Sequence, residues 1–211
     1  MSLEAVGLAC VRGERQLFRD VHFQLIAGDA LCVAGANGSG KTSLLRMLCG
    51  LSIPAEGMLQ WNGKEIRKDR EAYAKQLMYL GHANGMKDEL LAWENVLIST
   101  ALSGQVISRD RAYDALDQFG LEQEADLPTR VLSQGQRKRV ALARLAFSTQ
   151  APLWILDEPF TALDLASLTH LCAILENHLR AGGMLIYTTH QTIALQAHRS
   201  LTLDLAQSRL C

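Results

Sequence analysis

Residues 35–42 read Gly35-Ala36-Asn37-Gly38-Ser39-Gly40-Lys41-Thr42, and they fit the pattern G-x-x-x-x-G-K-[ST] at every fixed position. An apolar run at 30–34 precedes this stretch and predicts a buried strand, while residues 43–49 follow with helical spacing and end before Gly50. A strand, a glycine-rich loop and a helix in this order predict a loop that binds nucleotide phosphates. We call residues 35–42 the phosphate loop.

The residue types in the phosphate loop suit that chemistry. Glycines let backbone N–H groups approach phosphate oxygens that side chains would otherwise shield, and the dipole of the following helix favours the same anion. Lys41 adds a full positive charge for the β- and γ-phosphates, and the Thr42 hydroxyl can ligate Mg²⁺. We include Ser43, the next residue, among the expected nucleotide contacts.

Strands alternate with helices over most of the chain, which predicts an α/β fold with a mostly parallel sheet covered on both faces. Residues 3–11 and 16–25 instead read as successive strands, and Asn62-Gly63 predicts a hairpin turn, so we expect an antiparallel β edge. From about residue 83 to 148 the pattern is helical, and we expect a helical subdomain inserted in a single domain of residues 1–211. A short helix is expected after residue 190, before a last strand near 201–205.

Two carboxylates follow the apolar strand predicted at 153–156. Asp157 can hold Mg²⁺ opposite Thr42, directly or through water. Glu158 can orient or deprotonate a water in line with the γ-phosphate. Neighbouring side chains on a strand point in different directions, so the two acids can have separate roles.

A third motif, Ser133-Gln134-Gly135-Gln136, has the form S-x-x-Q of a capping box. In this interpretation Ser133 caps a helix and Gln136 bonds back to it. A capped helix start that carries a serine and a glycine is also an anion site, and the two interpretations are compatible.

The composition narrows the functional classes. The chain has 211 residues, 48% of them hydrophobic, and a net charge of −1, so we expect a sizeable core and no nucleic-acid partner. Its five cysteines are scattered without a C-x-x-C pair, which favours buried thiols in a reducing compartment over disulfides or a metal site. Residues 1–4 lack the features of a signal peptide and no apolar stretch is long enough to span a bilayer, so a membrane role is expected to need a partner.

Four motifs together resemble those of the ABC (ATP-binding cassette) ATPases. Besides the phosphate loop, Leu132-Ser133-Gln134-Gly135-Gln136 resembles the L-S-G-G-Q signature and departs from it only at Gln134. Asp157-Glu158-Pro159, followed by Thr161-Ala162-Leu163-Asp164, is similar to the acidic strand end and D-loop, and Thr188-Thr189-His190 is similar to the switch histidine. The resemblance extends over almost the whole chain.

The resemblance implies a P-loop NTPase of the ABC type that closes head to tail as a homodimer over two ATP molecules with Mg²⁺. Each ATP would lie between the phosphate loop of one copy and the signature of the other, with contacts from Ser133, Gly135, Gln136 and Asp164. The same resemblance implies Glu158 as the catalytic base, His190 as a γ-phosphate contact linked to that base, and Lys41 as part of the catalytic machinery.

Two positions depart from the family pattern. His82 stands where the family has a glutamine near Mg²⁺ and the attacking water, and its imidazole can still hydrogen-bond a water or a phosphate. The aromatic residue that usually stacks on adenine is not evident, which leaves Arg12, through its guanidinium plane, or Phe18 as alternatives.

The short length, Tyr79-Leu80-Gly81-His82 and Thr188-Thr189-His190-Gln191 resemble one subfamily, the ATP-binding subunits of bacterial cytochrome c maturation, which export haem. This implies a peripheral subunit on the cytoplasmic side of the inner membrane, bound to a membrane-spanning subunit of the CcmB type with CcmC nearby. Two alternatives stay open: an ABC transporter for another substrate, and a soluble ABC ATPase outside transport. The signature helix and the switch histidine count against a third, a small-molecule phosphotransferase.

Overall fold

A computed structural model describes residues 1–83 and 85–206, and their strands form two sheets. Residue 84, in the predicted helical block, and residues 207–211, which include Cys211, lie outside the described residues. The first sheet is antiparallel, and its strands in spatial order are Arg15–Ile26 (β2), Ser2–Arg12 (β1), Glu56–Trp61 (β4) and Lys64–Glu65 (β5). The second is fully parallel, in the order Leu77–Leu80 (β6), Leu153–Leu156 (β7), Met184–Thr188 (β8), Ala30–Ala34 (β3) and Ser200–Asp204 (β9).

This arrangement confirms the predicted fold class, a mostly parallel core with an antiparallel edge. The turn between β4 and β5 has positive φ at both Asn62 (51°) and Gly63 (76°), which is the backbone that an Asn-Gly hairpin turn needs. Every residue of β7 and β8 is buried, as expected for strands covered on both faces.

Six α-helices connect the strands in the described ranges 1–83 and 85–206: Lys41–Leu48 (α1), Arg70–Ala74 (α2), Ala92–Leu102 (α3), Arg109–Asp117 (α4), Gln134–Ala143 (α5) and Leu165–Arg180 (α6). Helices α3, α4 and α5 pack on one another, and the described residues between 85 and 148 contain no strand, only a single bridge between Leu91 and Pro128. Within the part of the chain that the structure describes, no helix is both long and apolar enough to cross a bilayer.

The hydrophobic core lies on both faces of the parallel sheet, because alternate residues of a strand point to opposite faces. On β7, Trp154 and Leu156 face the cluster formed with α3–α6, whereas Leu153 and Ile155 face the cluster formed with α1 and the antiparallel sheet. The four cysteines among the described residues are free thiols, and burial raises the pKa of Cys49 to about 12. The core therefore holds the parallel strands, and their carboxyl ends, between two layers.

The prediction of a short helix after residue 190 is wrong, because residues 189–199 form no regular secondary structure. The backbone N–H of Gln196 donates to the Glu176 carboxylate of α6 (3.0 Å), and that of His198 donates to the carbonyl of Gly28 (2.9 Å). These amide groups bond to neighbouring elements and are therefore not available for helical hydrogen bonds.

A buried histidine lies at the end of α6. The His178 ring stacks on Trp154 with centroids 3.9 Å apart and only 8% of the residue exposed, and Nε2 lies 3.3 Å from the Met184 carbonyl oxygen. A side chain on Gly183 would overlap this ring, so a glycine is needed there. Burial lowers the His178 pKa from 6.5 to about 4, against an opposing contribution from the bond to Met184.

Acid is therefore expected to destabilise the fold through His178. The unfolded chain binds a proton at this residue near pH 6.5, whereas the folded chain binds it only near pH 4. The contribution of neutral His178 to the free energy of unfolding is therefore complete above pH 6.5 and declines as the pH falls to 4. The loss amounts to about 3 kcal/mol at most. Chemical denaturation at several pH values, compared with His178→Gln, tests this: the pH slope in that window should be shallower in the variant.

Candidate active site

A cavity of about 640 Å³ opens at the carboxyl ends of the parallel strands, where ligands bind in sheets of this kind. It brings together most of the residues that the sequence singled out. Its lining consists of Ala36, Asn37, Gly38, Gly40, Lys41, Thr42, Ser43, His82, Asp157, Glu158, Thr161 and His190, with Arg12, Arg15 and Leu17 beyond them.

The phosphate loop is shaped by its glycines. Gly35 (φ 140°) and Gly40 (φ 104°) lie in the left-handed region, and a Cβ would stand 2.6 Å from the Ser39 hydroxyl oxygen at the first and 3.0 Å from the Phe18 ring at the second. A Cβ on Gly38 would meet nothing within 4 Å, so this part of the loop faces open space. The loop thus presents backbone that a phosphate can approach closely, at the start of α1.

Lys41 lies folded across the loop that precedes it. Its Nζ donates to the carbonyl oxygens of Gly35 (2.7 Å) and Ala36 (3.3 Å), and the residue is 9% exposed. The ammonium is therefore held at the base of the cavity, next to the glycine cradle. A glycine cradle, a helix start and one buried ammonium fit the charge of a triphosphate.

Asp157 is buried at the end of β7 and is held from two sides. One carboxylate oxygen accepts a hydrogen bond from the Thr42 hydroxyl (2.9 Å), and the other accepts from the Thr188 hydroxyl (2.7 Å). Adjacent ligands of an octahedral Mg²⁺ lie about 3.0 Å apart, as follows from metal–oxygen distances of about 2.1 Å. The oxygens of Thr42 and Asp157 therefore fit two neighbouring positions around Mg²⁺.

Glu158 follows in a strained conformation, with φ at +51°. Its backbone N–H donates to the Thr188 hydroxyl oxygen (2.8 Å), and its carboxylate lies 3.3 Å from Nε2 of His190. The Glu158 side chain is 15% exposed and that of His190 is 55% exposed, and both residues line the cavity. This pair can accept and orient the protons of a water molecule within the cavity.

The capping box predicted at Ser133 is present at the start of α5. The Ser133 hydroxyl accepts from the backbone N–H of Gln136 (3.2 Å), and the Gln136 side chain accepts from the backbone N–H of Ser133 (2.8 Å). Gly135 packs against the D-loop, because a Cβ there would stand 2.7 Å from the Ala162 carbonyl oxygen. Asp164 caps α6 by accepting from the Ser167 backbone N–H (2.8 Å).

These four residues, Ser133, Gly135, Gln136 and Asp164, do not line the cavity of their own chain. The structure therefore separates the predicted nucleotide contacts into two groups. One group surrounds the phosphate loop, and the other lies at the starts of α5 and α6.

The two adenine alternatives differ in their exposure to the cavity. Phe18 is fully buried, packs against Gly40 and does not line the cavity. Arg12 lines the cavity together with Arg15, its direct partner across the β1–β2 hairpin, and with Leu17. Two guanidinium groups opposite each other repel, so this pair suits an anionic or aromatic ligand.

Comparison with known proteins agrees with this geometry. Residues 18–161 match the sequence model of the ABC transporter family. The cytochrome c biogenesis ATP-binding export protein CcmA of Nitrosomonas europaea is 54% identical over 193 residues, which cover 92% of this chain and 90% of that protein. CcmA of Pseudomonas aeruginosa is 44% identical over 199 residues, with 94% and 98% covered. This chain belongs to the CcmA family of ABC ATPases.

Solved structures share the fold of this CcmA-family ATPase. A putative ABC transporter ATP-binding protein from Pyrococcus furiosus superposes with a TM-score of 0.81 at 21% identity, covering 98% of each chain. The ATP-binding cassette MJ0796, solved as a dimer in a post-hydrolysis state with ADP and Pi, superposes with a TM-score of 0.74 at 24% identity, covering 90% of this chain and 88% of that one.

Several residues of the CcmA-family site were missed from the sequence. Thr188 bonds to both Asp157 and Glu158, and Thr161 donates to the Glu158 carboxylate (3.4 Å). Both threonines lie inside motifs in which we assigned roles to other residues. Their hydroxyl groups, which can hydrogen-bond a carboxylate, were the feature of the sequence that could have indicated their role. Arg15 and Lys138 carried no such signal, because only tertiary packing brings them to the site.

Proposed function

We propose that this protein is the ATP-hydrolysing subunit of a membrane ABC complex that exports haem for the maturation of c-type cytochromes. The observation that carries the proposal is the convergence of Lys41, Asp157 and Glu158 on one cavity, in a chain whose curated relatives are cytochrome c biogenesis ATP-binding export proteins. The cavity supports ATP hydrolysis, and the relatives support the assignment to haem export.

One set of residues in the cavity would bind the triphosphate and its metal ion. The phosphate loop and Lys41 bind the β- and γ-phosphates, and Thr42 and Asp157 would hold Mg²⁺. When bound, Mg²⁺ would neutralise negative charge on the β- and γ-phosphates. Catalysis of this kind rests mainly on positioning and charge stabilisation.

Glu158 is placed to activate the attacking water. One proton of the water passes to the Glu158 carboxylate while the water oxygen forms a bond to the γ-phosphorus. The bond between the γ-phosphorus and the oxygen that links it to the β-phosphate breaks, and ADP is released. His190, 3.3 Å from Glu158, links the base to the γ-phosphate. His82 lines the same cavity and takes the place of the glutamine that other members use near the water.

The second copy of the chain completes each site. Ser133 and Gly135 lie at the exposed start of α5, outside the cavity of their own chain, and a helix start presents free N–H groups to an anion. Two copies arranged head to tail would place these groups against the γ-phosphate bound by the other copy. Gln136 and Asp164 support this surface through the two helix caps.

A membrane partner follows from the assignment to haem export. The protein acts as a peripheral subunit on the cytoplasmic side of the bacterial inner membrane, bound to a membrane-spanning subunit of the CcmB type with CcmC nearby. The helical block, from about residue 83 to 148, carries the opening and closing of the dimer to that partner. We expect no nucleic-acid partner.

A gene deletion in the native bacterium tests the proposal. We expect it to abolish haem-stained c-type cytochromes, and we expect the wild-type chain, but not Glu158→Gln, to restore them. Photo-crosslinkers placed at exposed positions between 85 and 103 should capture a multi-spanning membrane protein, and crosslinkers on β5 provide the control. Normal c-type cytochromes in the deletion strain would contradict haem export, and the purified complex would then be assayed with other substrates.

A further inference from the structure

One peptide unit in the site is held at both of its polar groups. The carbonyl oxygen of Asp157 accepts a hydrogen bond from Nζ of Lys138 (3.4 Å), and the N–H of Glu158 donates to the Thr188 hydroxyl oxygen (2.8 Å). These two groups belong to the same peptide bond. Its orientation is therefore set by side chains from two other elements, α5 and β8.

The residue that follows this peptide needs such support. Glu158 has φ at +51°, a conformation that costs a non-glycine residue about 1–3 kcal/mol and persists only where the surroundings hold it. Rotation of the Asp157–Glu158 peptide would relieve that strain, and it would also move the Glu158 side chain. Hydrogen bonds at both ends of the peptide oppose this rotation.

Lys138 is an unusual residue for its position. It is only 6% exposed, and within the described chain the Asp157 carbonyl is the hydrogen-bond partner of its ammonium. Burial lowers the Lys138 pKa to about 8, and the nearby Asp157 and Glu158 carboxylates oppose that change. Burying an ammonium without a paired carboxylate costs stability, and an apolar side chain of similar length would avoid that cost.

We propose that Lys138 is a positioning residue for the catalytic base: its ammonium holds the Asp157 carbonyl and thereby keeps Glu158 in its left-handed conformation, with the carboxylate directed to the cavity and His190. The proposal rests on the proposed function, in which Glu158 is the base. Because α5 also begins at Ser133 and Gly135, this bond connects the base of one site to the helix expected to bind the second nucleotide.

The variant Lys138→Met tests the proposal, since methionine has a similar length and no donor. We expect kcat for ATP hydrolysis to fall by about 10- to 100-fold, because small displacements of a catalytic group have effects of that size. The affinity for ATP should change by less than about threefold, as expected when only a transition-state interaction is lost. The melting temperature should stay the same or rise, because the buried charge is gone.

A double-mutant cycle separates positioning from a general structural role. In a Glu158→Gln background, Lys138→Met should lower the residual rate by less than about twofold, since Lys138 acts through Glu158. The control is Arg137→Met on the same helix, whose side chain bonds to Thr129 and Asp88 rather than to Asp157; its kcat should stay within about twofold of wild type.

Three results would overturn the proposal: an unchanged kcat in Lys138→Met, a fall in kcat matched by a fall in melting temperature or ATP affinity, or a full additional loss in the Glu158→Gln background. A Glu158→Gln variant that retains normal turnover would instead contradict the proposed function, so the two failures are distinguishable.

Discussion

Replacing Glu158 by glutamine is expected to lower kcat for ATP hydrolysis by about 10²- to 10⁴-fold, the usual contribution of a general base. Glutamine has the same shape, so the strained backbone and the bond from Glu158 N–H to Thr188 are retained, but an amide cannot accept the proton of the attacking water. Binding should persist, because Lys41 and the phosphate loop are unchanged. ATP affinity is therefore expected to stay within a few-fold of wild type.

Steady-state phosphate release and equilibrium binding of a fluorescent ATP analogue measure the two effects separately. Glu122→Gln is the matched control, since Glu122 is exposed and outside the cavity. Its kcat is expected to equal that of wild type. Hydrolysis by Glu158→Gln at the normal rate would show that another group removes the proton.

Mixing two inactive variants is expected to restore activity if each site is shared between copies. Lys41→Ala removes the ammonium from the phosphate loop. Ser133→Asp keeps α5 capped, because aspartate is a good N-cap, but it places a negative charge where the γ-phosphate of the second copy would lie. Each variant alone should lose about 100-fold or more in rate.

In a heterodimer of the two variants, one site loses both groups and the other keeps both. Random pairing of equal amounts should therefore recover about a quarter of the wild-type rate. Ser133→Asn, which caps the helix without a charge, is the control for the charge and should retain more activity than Ser133→Asp. A mixture as inactive as its components, or an active Ser133→Asp variant, would exclude the shared site.

Local patterns explain what could be predicted. The phosphate loop, the Asn62-Gly63 turn and the capping box at Ser133 are each encoded by residues a few positions apart, so backbone preference and short-range hydrogen bonds decide them. Local pattern gave a wrong prediction at residues 191–198. The sequence there has a helical pattern, but backbone amide groups of this segment bond to α6 and to the turn before β3. Tertiary hydrogen bonds overrode local preference there.

By itself, the sequence determined the fold class, the phosphate loop and the residue types of the site, because these depend on spacing within short stretches. Only the tertiary structure decided how the site is assembled: Thr188 lies 31 positions from Asp157 and Lys138 lies 19 positions from it, yet both bond to it. It also decided that Phe18 is in the core and that Arg15 faces the cavity. The physical reason is that the packing of parallel strands between two layers brings distant residues to one sheet edge, and no local pattern records which side chains meet there.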